Sequence, residues 1–88
     1  MPKKIFVTGG AGYVGSHSCV ELLKQNHDIM IFDDLSNSSE KVIDRIERLS
    51  KRSTQFSFGD IRDEDKMTKA MCRFKPDTVL HFAGLKTV

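Results

Sequence analysis

Along this chain the hydrophobic period switches repeatedly between runs that suit a strand and spacings that suit a helix. Ile5-Phe6-Val7 is the continuous apolar centre of a segment from Lys3 to Thr8. A run without polar interruption predicts a strand covered on both faces, as in a parallel sheet. A glycine-rich turn follows, Gly9-Gly10-Ala11-Gly12. Beyond it Gly15, Cys19 and Leu22 recur at helical spacing, predicting a first helix from Tyr13 to Gln25. Asn26 comes next, and asparagine is second only to glycine as a left-handed C-terminal cap. Ile29 to Asp33 repeats the continuous apolar pattern and predicts the second strand.

Residues 34–39 form a polar loop, in which Asn37 or Ser39 can cap a second helix over 40–51. Val42, Ile46 and Leu49 lie on one stripe of that helix. From Thr54 to Phe58 the pattern alternates, which fits a third strand at a sheet edge. Asp63 can cap a third helix over 64–74, where Met67, Ala70, Met71 and Phe74 share a face. Pro76 bars its continuation. Asp77 to Phe82 is then the fourth strand. Strands alternating with helices in this way predict an α/β fold with parallel strands and right-handed crossovers.

Composition narrows the class further. Eighty-eight residues make one small domain at most. Lys plus Arg is 14 and Asp plus Glu is 12, a net charge of +2 that argues against a nucleic-acid partner. The longest apolar run is Ile29-Met30-Ile31-Phe32, far short of the roughly 20 residues that span a bilayer. Ile5-Phe6-Val7 is likewise shorter than the 7–15 apolar residues, roughly, of a secretory signal, so the expected location is the cytoplasm. Cys19 and Cys72 form no metal-like cluster, and both are expected as small apolar core residues. His17, His27 and His81 are scattered and read as structural.

The chemistry concentrates in the first turn and its acidic partner. Gly9, Gly12 and Gly15 make a G-x-x-G-x-x-G pattern between the first strand and the first helix. Gly9 permits the tight turn, Gly12 lets backbone approach a pyrophosphate, and Gly15 lets the helix pack closely on the sheet. The N–H groups of the first helical turn, around Tyr13 and Val14, point at such an anion. No Gly-Lys-Ser/Thr follows, which excludes a nucleotide-triphosphate P-loop. Asp33 stands at the end of the second strand, 18 residues after Gly15. Its carboxylate can accept from both hydroxyls of an adenosine ribose and would repel a 2′-phosphate, favouring NAD over NADP. Asp34 beside it strengthens that bias.

Asp60 and Ile61 close the third strand on the same carboxyl edge. Asp60 can accept from an adenine amino group, or serve only to cap the next helix. Phe82-Ala83-Gly84 closes the fourth strand, where small residues let backbone pass close to a cofactor. Lys86 is within reach of ribose or phosphate oxygens. The fold class is therefore a partial Rossmann fold, four parallel strands in the order 3-2-1-4 with three crossover helices.

These stretches together resemble the extended short-chain dehydrogenase/reductase family. The residues that carry the likeness are Val7 to His17, Asp33 to Ser38, Gly59-Asp60-Ile61-Arg62 and His81 to Lys86. The resemblance covers essentially all 88 residues, as the N-terminal part of such an enzyme's NAD-binding domain. It implies bound NAD and interconversion of UDP-glucose and UDP-galactose, in a complete enzyme that is a homodimer. It places Tyr13 and Val14 on the pyrophosphate, and Asp33, Asp34, Leu35, Ser36, Asn37 and Ser38 around the adenosine. Asp60 and Ile61 would flank adenine, and Phe82, Ala83, Gly84, Leu85 and Lys86 would run along the nicotinamide half.

Two departures stand out: Asn26 where the family commonly has Gly, and Asp34 where Asn is usual. The family's chemistry uses a Tyr-x-x-x-Lys pair with a Ser or Thr. Here Tyr13 is the only tyrosine and His17, not Lys, stands four residues on, so no catalytic residue is assigned. A sugar-nucleotide dehydratase or decarboxylase of the same family, and a non-catalytic NAD-binding module, are the alternative readings.

Overall fold

The centres of the first and second strands, Ile5 to Val7 and Ile29 to Phe32, are apolar and covered on both faces. The computed structural model describes residues 3–9, 13–35 and 40–81, with backbone alone at 13 and 14. The elements are β1 (Lys4–Thr8), α1 (Tyr13–Lys24), β2 (Asp28–Asp33), α2 (Glu40–Ser50), β3 (Gln55–Phe58), α3 (Glu64–Phe74) and β4 (Thr78–His81). The strands form one sheet in the order β3-β2-β1-β4, and every pairing is parallel. This is the α/β partial Rossmann architecture expected from the pattern.

Alternate residues of β1 and β2 feed two separate cores. Ile5, Val7, Ile29 and Ile31 pack with Cys19 and Leu23 of α1 and Ile46 of α2. Phe6, Met30 and Phe32 face the other way, onto Ala70 and Phe74 of α3. Helices α1 and α2 thus cover one face and α3 the other. The chain changes face between β1 and β4, which makes a topological switch point there, and ligands of open α/β sheets bind at the carboxyl end of such a point.

Both stripes differ in detail from the sequence expectation. In α1, Leu23 is fully buried and Leu22 only half-buried. In α2, Ile46 and Ser50 are buried while Leu49 is 52% exposed. In each case the residue four positions on from a buried one faces the sheet, rather than the one three on. Cys19 is a core thiol as expected, its pKa pushed up to about 12 by burial. Cys72 is not: it lies exposed on α3, on the side of that helix turned from Ala70 and Phe74.

The helix ends follow their capping residues. Asn26 adopts φ 70°, and the His27 N–H donates to Leu22 O at 3.2 Å while the Asn26 N–H donates to Leu23 O at 3.0 Å. That is a Schellman closure with asparagine in glycine's usual place. Arg52 adds a cation there, donating through Nη1 to Leu23 O and His27 O at 2.8 and 2.9 Å. Asp63 caps α3 by accepting from the Lys66 N–H at 3.1 Å. Asp77 precedes β4 rather than opening it, and exchanges two bonds with Lys4. The expected caps of α2, Asn37 and Ser39, lie outside the described residues. Among the described residues no helix is long and apolar enough to cross a membrane.

Candidate functional site

Neighbouring strands are tied to one another at their carboxyl ends. The Gly59 N–H donates to Asp33 O at 3.0 Å, joining β3 to β2. The Gly9 N–H donates to Phe32 O at 3.0 Å, joining β2 to β1. Thr8 Oγ1 and His81 Nδ1 meet at 2.5 Å, joining β1 to β4. These links hold in one line the strand ends from which the candidate residues project. Gly9 sits at φ 72°, the left-handed conformation that a tight turn off β1 requires and that glycine takes without steric cost. The helix that follows begins at Tyr13, so its first N–H groups open toward this edge. Gly15, one turn in, is buried, as close packing of α1 demands.

Asp33 closes β2. Its Oδ1 accepts from the Leu35 N–H at 2.7 Å, and Leu35 takes φ 59°. The side chain thereby turns the backbone sharply out of the strand, and the turn fixes the carboxylate at the strand end. Asp34 and Leu35 are half-buried beside it. Asp60 lies just past β3, where its carboxylate is occupied by Arg62. The Arg62 N–H donates to Oδ1 at 2.8 Å, and the guanidinium adds Nε and Nη2 bonds, the shortest 2.7 Å to Oδ2.

This pairing holds the Asp60 carboxyl at about 2, well below the ordinary range, through the Arg62 side chain first and its backbone N–H second. The folded value lies below the unfolded one. The pair's contribution is therefore present above about pH 4 and is lost as pH falls toward 2. Arg62→Gln should move the Asp60 titration most of the way back to the carboxylate norm in a carbon-13 NMR titration. A midpoint unchanged in that variant would assign the shift to something other than the Arg62 guanidinium.

The described structure thus brings Gly9, the start of α1, Gly15, Asp33, Asp34, Leu35, Asp60 and Ile61 to the carboxyl end of the sheet, with Ile61 packed against the core on the α3 face. Gly12, Ser36, Asn37, Ser38, Phe82, Ala83, Gly84, Leu85 and Lys86 lie outside the described residues, as do the side chains of Tyr13 and Val14. Sequence reasoning named Arg62 only within a stretch that carries the resemblance and gave it no role, and it did not single out the Thr8–His81 link. An arginine two positions after an aspartate at a strand end was the available signal for the first. A separate groove lies between α1 and α2, lined by Ser16, His17, Val20, Val42, Arg45, Ile46 and Leu49. It contains no carboxylate to read a ribose. Among the described residues no group of His, Cys, Asp and Glu is placed to hold a metal ion.

Comparison with known proteins bears on the chain as a whole. The model of the NAD dependent epimerase/dehydratase family matches residues 5–88. The chain belongs to that family. Among the family's proteins, a UDP-glucose 4-epimerase of Klebsiella pneumoniae is 47% identical over 85 residues, covering 97% of this chain and 61% of that protein. One from Neisseria meningitidis serogroup B is 44% identical over 86 residues, 98% of this chain and 25% of that protein. The chain also matches the crystal structure of UDP-glucose-4-epimerase from Stenotrophomonas maltophila with bound NAD and formylated UDP-arabinopyranose. There the TM-score is 0.92 and the identity 48%, over 98% of this chain and 26% of that one. The Bifidobacterium longum UDP-glucose 4-epimerase in complex with NAD+ and UDP gives a TM-score of 0.91 at 38% identity, over 97% of this chain and 25% of that one. This family member therefore spans about a quarter of the length of most of these relatives.

Proposed function

We propose that these 88 residues are the N-terminal part of the NAD-binding domain of a UDP-glucose 4-epimerase, an isomerase of galactose metabolism. The observation that carries this reading is Asp33, fixed by its own turn at the end of β2, on the carboxyl edge of the sheet in a family member. The residues fit the cofactor. A left-handed glycine turn and a helix N-terminus suit a pyrophosphate, and a strand-end carboxylate suits a ribose diol. Gly9, Gly12, Tyr13, Val14 and Gly15 would hold the pyrophosphate. Asp33 through Ser38 would hold the adenosine ribose, and Asp60 with Ile61 the adenine. Phe82 to Lys86 would line the nicotinamide half.

Bound NAD supplies the hydride chemistry at the sugar C4. This chain's part is to bind and orient the dinucleotide, and UDP-glucose or UDP-galactose would be handled with residues outside it. We read the complete enzyme as a cytoplasmic homodimer with no nucleic-acid partner. Titration calorimetry of Asp33→Ala tests the assignment of the ribose reader. The preference for NAD over NADP should shrink by about tenfold or more, since a hydrogen-bonded carboxylate and its charge are both lost. An unchanged preference would remove Asp33 from that role.

A further inference from the structure

Three carboxylates, Asp33, Asp34 and Asp60, lie at the ends of β2 and β3, and one guanidinium, that of Arg62, is paired with Asp60. Arg62 reaches back over two residues to Asp60, and its side chain is otherwise 87% exposed. The Gly59–Asp33 bond holds the loop that bears it against the end of β2. The field of Asp34 reaches the same guanidinium. The side chain is thus held by an exposed pair, which a stronger anion can replace at little cost.

We propose that Arg62 is a specificity-determining residue of the nucleotide end of the site: parked on Asp60, it is the fork that receives a 2′-phosphate once Asp33 ceases to repel one. This rests on the reading of Asp33 as the ribose-binding acid. The charge arithmetic is direct. Three carboxylates and one guanidinium leave these four groups at −2, hostile to a phosphate of similar charge. With Asp33 neutral the sum is −1, and the guanidinium offers two parallel N–H donors that match phosphate geometry. Exclusion of NADP then hangs on one side chain, with the cation for the opposite choice already in place.

The test is calorimetric titration of NAD and NADP into four forms of the protein: unmodified, Asp33→Asn, Asp33→Asn/Arg62→Gln and Asp33→Asn/Lys66→Gln. Asparagine keeps an oxygen for the Leu35 N–H, and Arg62 is exposed, so both changes spare the fold. Lys66, whose ammonium lies 5.5 Å from the centre of the Phe58 ring, is the control for bulk charge. Asp33→Asn should raise NADP affinity relative to NAD by about tenfold or more. Adding Arg62→Gln should remove most of that gain, leave NAD affinity within about threefold, and flatten the salt dependence of NADP binding. Adding Lys66→Gln should not. A gain that survives Arg62→Gln, or that Lys66→Gln removes equally, overturns the role of Arg62 and leaves the ribose reading standing. No change of selectivity in Asp33→Asn, or no binding of NAD by the unmodified protein, overturns the ribose reading and the inference with it.

Discussion

Gly59→Ala should destabilise the protein by about 1–3 kcal/mol, the usual range for forcing an extra carbon into a packed interior. A Cβ at that position would lie 2.5 Å from Phe32 Cζ and 2.8 Å from Cε1. Lys66 Cδ, at 3.2 Å, can swing aside, but the Phe32 ring cannot. It is fully buried, and its centroid lies 5.8 Å from that of Phe6. Relieving the contact means moving Phe32, whose carbonyl holds the Gly9 turn and whose neighbour is Asp33. The melting temperature should fall by roughly 4–8 °C per kcal/mol in a domain of this size. Phe32→Leu withdraws the offending ring atoms, so the double variant should be less destabilised than the sum of the singles, by about 0.5 kcal/mol or more. Thermal melts of the four forms decide the matter. Additive losses, or a Gly59→Ala variant that melts with the parent, would refute the steric account.

The second large effect is on turnover. The 88 residues with NAD should epimerise no UDP-galactose above a cofactor-only blank. The family resemblance implies a base drawn from a Tyr-x-x-x-Lys pair, and Tyr13, the only tyrosine, is followed at that spacing by His17. Positioned proton transfer contributes about 10²–10⁴ to rate, and among the described residues of this edge there is no Tyr/Lys pair to supply it to a sugar hydroxyl. Substituting these residues for the matching segment of an intact epimerase should restore epimerisation. Turnover by the short chain alone would place the chemistry within it and contradict the account. So would a folded chimera that binds NAD and stays silent.

What the sequence disclosed, it disclosed through period and punctuation. The unbroken runs Ile5-Phe6-Val7 and Ile29 to Phe32 mark strands covered on both faces, and those two strands are central in the sheet. Asn26, Asp63 and Pro76 are residues whose backbone preferences act locally, and the helices end or begin where they stand. Asp33 was legible because glycine spacing and strand length together fix its place at the edge.

Helix rotation was less legible. Leu22 and Leu23, or Leu49 and Ser50, are adjacent at the border of a stripe, and only packing against the sheet selects which turns inward. Cys72 fails for a related reason, since small size permits burial without compelling it. Arg62 was given no role although its partner stands only two residues before it. Gly59 was missed because the ring that crowds it comes from β2, a fact of tertiary geometry invisible to local spacing.

The central claim is that the carboxyl edge of this sheet is a dinucleotide site, and NMR titration of the amide signals with NAD tests it most directly. The account predicts saturable shifts at Gly9, the first turn of α1, Asp33 to Leu35, and Asp60 and Ile61. Lys3, His27 and Lys75, at the opposite ends of their strands and helices, should stay unmoved, and NADP should produce the same pattern only at higher concentration. No shifts with NAD, or shifts confined to the groove between α1 and α2, would contradict it.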